Sequence, residues 1–219
     1  MMYLSRLQLN TTNRAVWREV IGNPYKAHQM IMRGFPVDVN REEAGVLHRL
    51  DVQDEAATLL VQSALEPDWS AIDHRYLAPT TPADFLPNPA VKPLQLPLQP
   101  GQILSFRLCA NPTVKKVRRD EAGERRNSNR VPLVREEEQL EWLHQRAVAS
   151  GFRLLRVTVS QTQKQQAWKK AGGRPITLYV VQFDGQLQVQ QPEILAAAMR
   201  SGIGPAKAFG CGLLSLARA

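Results

Sequence analysis

No stretch of this sequence is apolar for long enough to cross a bilayer, and no apolar segment follows a basic start, so neither a membrane span nor export is expected. Cysteine is nearly absent. Cys109 and Cys211 stand far apart, which argues against a disulfide framework and a cysteine-based zinc site and suits a reducing cytoplasm. Histidine is sparse as well: His28, His48, His74 and His144 are scattered without H-x-x-x-H spacing, so no metal ligand set is indicated and no cofactor is expected. The Walker spacing of a nucleotide-binding loop is missing, which disfavours a mononucleotide enzyme. Missing too are the aromatic strings with which an RNA-recognition sheet stacks bases.

Positive charge is what the chain has in excess. Its 28 Lys and Arg exceed its 20 Asp and Glu by 8, and its pI is near 9.9, so its surface field favours polyanions. The 219 residues suffice for two small domains with modest cores.

Hydrophobic pattern and turn residues supply the order of elements. Met2 to Leu9 reads as a strand. Thr11 to Asn13 can cap a helix with Val16, Trp17, Val20 and Ile21 on its inner stripe, ended by Gly22. Asn23 and Pro24 open a second helix that runs to Gly34. Residues 45–52 and 57–65 read as strands joined by the polar turn at 53–55. Seven prolines between Pro79 and Pro100 predict an extended linker. A second unit follows: a strand over 102–110, a helix over 135–149 with Leu140, Leu143, Ala147 and Val148 inward, and strands at 152–160 and 176–183. Asp184-Gly185 reads as a hairpin turn, Pro192 opens a helix, and a last strand runs from Leu213 to Leu216. The expected fold is therefore α+β, with tandem ferredoxin-like (RRM-like) domains, each an antiparallel sheet with helices on one face. Residues 1–95 form the N-terminal domain carrying the catalytic helix, and 96–219 the C-terminal domain with the basic hairpin and a glycine-rich loop.

Candidate chemistry centres on Tyr25 and His28. Three residues apart in the second helix, they share a face. An imidazole titrating near neutrality can take or give the protons that RNA cleavage by an adjacent 2′-hydroxyl requires. Taken alone, a Tyr and a His at this spacing are more often ordinary core or surface helix residues. Lys26 and Arg33 are candidate phosphate contacts on the same helix, while His48, His74 and His144 read as structural, His48 as a half-buried packing residue in its strand. Two basic segments suit an RNA backbone. Lys115, Lys116, Arg118, Arg119, Arg125, Arg126 and Arg130 lie in a segment expected to be a mobile loop. Lys164, Lys169, Lys170 and Arg174 lie between two strands, as a basic hairpin or a loose connection. Near the C-terminus Gly202, Gly204, Gly210 and Gly212 surround Lys207, an arrangement able to bring backbone N–H groups to a phosphate or to make a tight turn before a buried strand.

The run from Gly202 through Leu216, GIGPAKAFGCGLLSL, resembles the C-terminal glycine-rich loop of the CRISPR-associated repeat-cleaving endoribonucleases in their type I-E form. Three further strings carry the likeness: Met2-Tyr3-Leu4-Ser5, Asn23-Pro24-Tyr25-Lys26-Ala27-His28 and Arg107-Leu108-Cys109-Ala110-Asn111-Pro112. The resemblance implies metal-independent cleavage through the histidine after the first helix, a 2′,3′-cyclic phosphate product, and a second-domain hairpin in the groove of a CRISPR repeat stem-loop. It also implies that the cleaved guide RNA is retained as product and that the protein joins the subunits of a type I-E surveillance complex. Gln29 departs from the basic residue that some members carry, leaving Lys26 or Arg33 to steady the phosphorane. A non-catalytic basic RNA-binding module is the competing expectation.

Overall fold

A computed structural model describes residues 2–81, 85–119, 125–170 and 172–219, with the side chains of 116–129 outside the description. Two four-stranded antiparallel sheets organise it. The first has the order β2-β3-β1-β4, formed by β1 (Met2–Leu9), β2 (Leu47–Gln53), β3 (Ala56–Ser63) and β4 (Ala90–Leu94). Alternation along β1 sends Ser5, Leu7 and Leu9 inward. On that face pack α1 (Arg14–Val16), which passes into a π-helical turn at Trp17–Ile21, and α2 (Pro24–Met32). Val16, Val20, Ala27 and Ile31 meet Leu7, Leu59 and Val61 there. Trp17, expected inside, is instead a surface residue whose indole donates to the Thr11 carbonyl at 2.7 Å, because the wider turn rotates the stripe.

The proline-rich stretch is more than a linker. Its segment β4 pairs with β1, from Met2 opposite Leu94 to Arg6 opposite Ala90. The strand lies at the sheet edge, where Pro93 has no neighbour to which a missing N–H matters.

The second sheet has the order β10-β5-β9-β8, from β5 (Ile103–Ala110), β8 (Phe152–Ala167), β9 (Ile176–Val189) and β10 (Leu214–Arg218). Between β5 and β8 come a ribbon of β6 (Thr113–Arg119) with β7 (Arg125–Pro132), and the helix α3 (Glu136–Ala149); α4 (Pro192–Ser201) precedes the glycine-rich loop. In both sheets the strands, counted within each unit, follow the ferredoxin-like order. Leu104, Phe106, Leu108, Phe183 and Leu187 form the second core with Trp142, Leu143 and Ala147 of α3 and Leu195 and Met199 of α4.

Two local expectations fail here. Val148 is 77 % exposed and Trp142 takes the inward place at 5 %. Asp184-Gly185 is not a turn, because β9 runs straight through it between β5 and β8. Asp184 instead pairs with Arg107 at 2.6 Å, and Gly185 is required by the neighbouring strand: a Cβ there would lie 2.0 Å from the Arg156 carbonyl oxygen, beside a bulge in β8.

Side chains of the first sheet reach β10 and α4 of the second unit. Arg49 of β2, held by Asp51, reaches Ser215 Oγ of β10 at 2.7 Å. Gln62 of β3 donates to the Met199 carbonyl at 2.8 Å.

Candidate active site

The site begins at the start of α2. Asn23 caps the helix by accepting from the Tyr25 N–H at 3.2 Å, and Pro24 supplies a preset φ. The helical period then puts Tyr25 and His28 on one face, with ring centroids 6.3 Å apart. Three other parts of the chain converge there. From β2 comes His48, its ring 6.2 Å from that of His28 and tilted by only 13°. From the glycine-rich loop comes Phe209, 6.2 Å from the Tyr25 ring. From the β8–β9 connection comes Lys169, whose Nζ stands 5.8 Å from the same ring's centre.

That connection is fastened to the helix start. The Asn23 side chain accepts from Trp168 N and donates to Trp168 O, both at 3.2 Å. Since β8 and β9 stay paired as far as Ala167 opposite Ile176, the segment with Lys164, Lys169, Lys170 and Arg174 is a hairpin. All four side chains are exposed, and residue 171 lies outside the described residues.

The electrostatics follow from burial and from Arg41. Desolvation, then the nearby Arg41 guanidinium, push the His28 pKa below its ordinary value, so the imidazole is neutral near pH 7. His48 is 1 % exposed, not half-buried as expected. Its pKa falls to about 3 through burial first, then His28 and Arg41. Burial and Arg41 also lower the Lys207 pKa, with Glu42 opposing. Arg41 is held by its own bonds to the Val46 carbonyl at 3.2 Å and to Glu42 at 3.0 Å. Arg41 and His48 are the residues that sequence reasoning missed. The signal for His48 was a polar residue on the inward side of an apolar strand; for Arg41, in a polar stretch of mixed charge, there was none.

A neutral imidazole beside a phenol, with Arg41 acting on the imidazole, Lys169 over the phenol ring and Lys207 close enough to Arg41 to feel its charge, can accept a proton next to a bound anion. Lys26 and Arg33 are not brought to it. They line a separate surface depression with Glu19, Gln29 and Tyr76. The glycine loop folds mainly on the protein itself: the N–H groups of Ile203, Phe209, Gly210 and Gly212 all donate to carbonyls of this chain. Gly202 sits at φ +79° where a Cβ would lie 2.6 Å from Leu47 Cδ2, and a Cβ on Gly204 would lie 2.9 Å from the Trp142 ring. Gly212 lies under Lys207 Cγ.

The first basic segment is a paired ribbon, not a loop. Its register sets Lys115 opposite Arg130, Arg118 opposite Arg126 and Arg119 opposite Arg125. Like charges directly across a strand pair repel, and an anion laid along the ribbon relieves the repulsion. Lys115 and Arg130 are exposed; the side chains of Lys116, Arg118, Arg119, Arg125 and Arg126 lie outside the described residues. His74 and His144 are on the surface elsewhere. Among the described residues no three His, Cys, Asp or Glu side chains gather as a metal site, and no helix is long and apolar enough to cross a membrane.

Comparison with known proteins finds relatives over the whole chain. The model of the family described as CRISPR associated protein matches residues 2–218. The CRISPR-associated endoribonuclease Cse3 of Thermus thermophilus is 35 % identical, over 99 % of this chain and 100 % of that one. The CRISPR system Cascade subunit CasE of Escherichia coli K12 is 32 % identical over 99 % of each. The structure of Thermus thermophilus Cse3 bound to an RNA representing a pre-cleavage complex superposes with a TM-score of 0.81 at 33 % identity, covering 99 % of this chain and 98 % of that one.

Proposed function

From the premise that the chain belongs to the CRISPR-associated protein family, we propose that it is an endoribonuclease that processes CRISPR precursor transcripts. It binds the stem-loop of the repeat RNA and cuts once per repeat. The observation that carries the reading is the convergence of Tyr25 and neutral His28 with Lys169, at the point where the basic hairpin is tied to the start of α2. Residues 1–95 and 96–219 are read as its two domains, the first holding the catalytic pair and the second most of the cationic surface.

In the proposed reaction His28 takes the proton of the 2′-hydroxyl as that oxygen attacks the adjacent phosphorus. Tyr25 donates a hydrogen bond to a non-bridging phosphate oxygen, and Arg41 and Lys207 offset its charge. The bond from phosphorus to the 5′-oxygen breaks, and that oxygen takes a proton from solvent. The products are a 2′,3′-cyclic phosphate and a 5′-hydroxyl, and no step uses a metal. The ribbon residues Lys115, Lys116, Arg118, Arg119, Arg125, Arg126 and Arg130 and the hairpin residues Lys164, Lys170 and Arg174 hold phosphates along the stem. Lys26 and Arg33 contact flanking RNA from the other side of α2. Gly202, Gly204, Gly210 and Gly212 serve RNA binding indirectly, by letting the loop pack tightly on the protein and so present Lys207. The CasE relative is named a Cascade subunit, which supports the reading that this protein joins a Cascade-type surveillance complex; in the same reading it retains the cleaved guide RNA and works in the cytoplasm.

Incubating a labelled repeat stem-loop with the protein in excess EDTA tests this. Wild type should cut at one position, and His28→Ala should bind the RNA without cutting. Wild-type protein that binds tightly and never cuts would instead be a non-catalytic RNA-binding module.

A further inference from the structure

Beneath His28 lies a second histidine that RNA cannot touch. His48 is on the inward side of β2, 1 % exposed, with its Nδ1 buried and without a hydrogen-bond partner. The glycine-rich loop closes over its other nitrogen: a Cβ on Gly210 would stand 3.7 Å from Nε2. A buried polar atom left unpaired carries a desolvation cost that Leu or Val at the same place would avoid, so its presence calls for a reason. The contact it does make is with the His28 ring, 6.2 Å away and nearly parallel.

We propose that His48 is a positioning residue for cleavage, its ring plane forming the surface against which the His28 imidazole is held. This deepens the functional reading above and rests on it. The role belongs to the flat face rather than to hydrogen bonding, because Nδ1 of His28 likewise has no protein partner, so no bond through these atoms orients either ring. Something else must therefore fix His28, whose nitrogen has to meet a single hydroxyl proton. A displacement on the order of 1 Å is enough to cost about a hundredfold in rate. His48 stays neutral and adds no charge at working pH. The titratable and charged groups around His28 are Tyr25 on its own helix, His48 on β2, Arg41 with its partner Glu42 ahead of β2, Lys207 in the loop, and Lys169 over the Tyr25 ring. Replacing His48 leaves every fixed charge in place, so a change in His28 titration reports lost cover.

The test compares His48→Ala with His48→Phe in the full chain. It measures single-turnover cleavage across pH, repeat-RNA affinity, and the His28 ring titration by NMR. Alanine should slow cleavage roughly 10- to 100-fold, leave affinity unchanged, and move the His28 midpoint up towards its ordinary value as water reaches the ring. Phenylalanine should restore both rate and midpoint. Alanine at wild-type rate with an unmoved profile overturns the proposal, and so does phenylalanine as slow as alanine. Should the alanine protein not fold, His48→Leu fills the volume without a flat face and should show the same loss of rate. If wild type itself does not cut, the functional reading fails separately, and an unmoved His28 titration in the alanine variant would still refute the pairing.

Discussion

Replacing Asn23 by alanine should destabilise the protein and slow cleavage through one side chain that serves both sheets. Asn23 is 5 % exposed and makes three bonds, one to the Tyr25 N–H and two with the Trp168 backbone. Losing a helix cap costs about 1 kcal/mol. Each Trp168 bond adds about 1 kcal/mol, since the partners left behind are only partly able to reach water. The sum is roughly 3 kcal/mol, or about 6 to 12 °C in Tm for a chain of this size. Asn23→Asp keeps the acceptor but sets a carboxylate against the Trp168 carbonyl, and should cost about half as much. Asn13→Ala is the control: it removes the equivalent cap of α1, where the side chain accepts from Ala15 N at 2.9 Å, with no tie to the hairpin. Thermal melts and single-turnover cleavage of all three variants decide the matter. Asn23→Ala within about 0.5 kcal/mol of wild type, or a cleavage rate no lower than that of Asn13→Ala, would refute the coupling of hairpin to catalytic helix.

Two further outcomes follow from burial. Gly185→Ala should destabilise far more than an ordinary strand substitution, by about 2 kcal/mol or more, because its Cβ would overlap a backbone carbonyl that only a shift of β8 can clear; chemical denaturation reads this directly. Acid should unfold the protein partly through His48. Its folded pKa, about 3, lies below the unfolded value, so its contribution is present above about pH 6.5 and is lost as pH falls towards 3, with a slope of up to about 1.4 kcal/mol per pH unit. Urea melts between pH 7 and pH 4 should show a shallower fall for His48→Phe.

How much of this could be read from the residues varied with the range of the signal. Asn23, Pro24 and Gly34 are local punctuation, and the bounds of α2 and the shared face of Tyr25 and His28 followed from them. Most of the element order was legible for the same reason, but the β6–β7 ribbon, read as a mobile loop, was not. Asp184-Gly185 misled because turn chemistry is also local, while a central strand between two partners is decided by pairing that no short string shows. The β4 strand was hidden by prolines that only an edge position tolerates. Val148 and Trp142 exchanged places through a small rotation of α3. At the candidate site, Lys169, Lys207, His48 and Arg41 meet the α2 residues only through tertiary contact. Their sequence separations gave no spacing to read, and the assignment of Lys26 and Arg33 to the same anion finds no support in their placement on another face.

The most direct measurement of the central claim is the fate of a repeat stem-loop carrying a single 2′-deoxy substitution on the nucleotide before the cut, beside the unmodified RNA, in excess EDTA. Attack by the 2′-hydroxyl with His28 as proton acceptor predicts one cut in the unmodified RNA, with a 2′,3′-cyclic phosphate end, and none in the deoxy RNA, which should still bind with the same affinity. Cleavage of the deoxy RNA at the same position, or a product ending in a 3′-hydroxyl, would contradict the account.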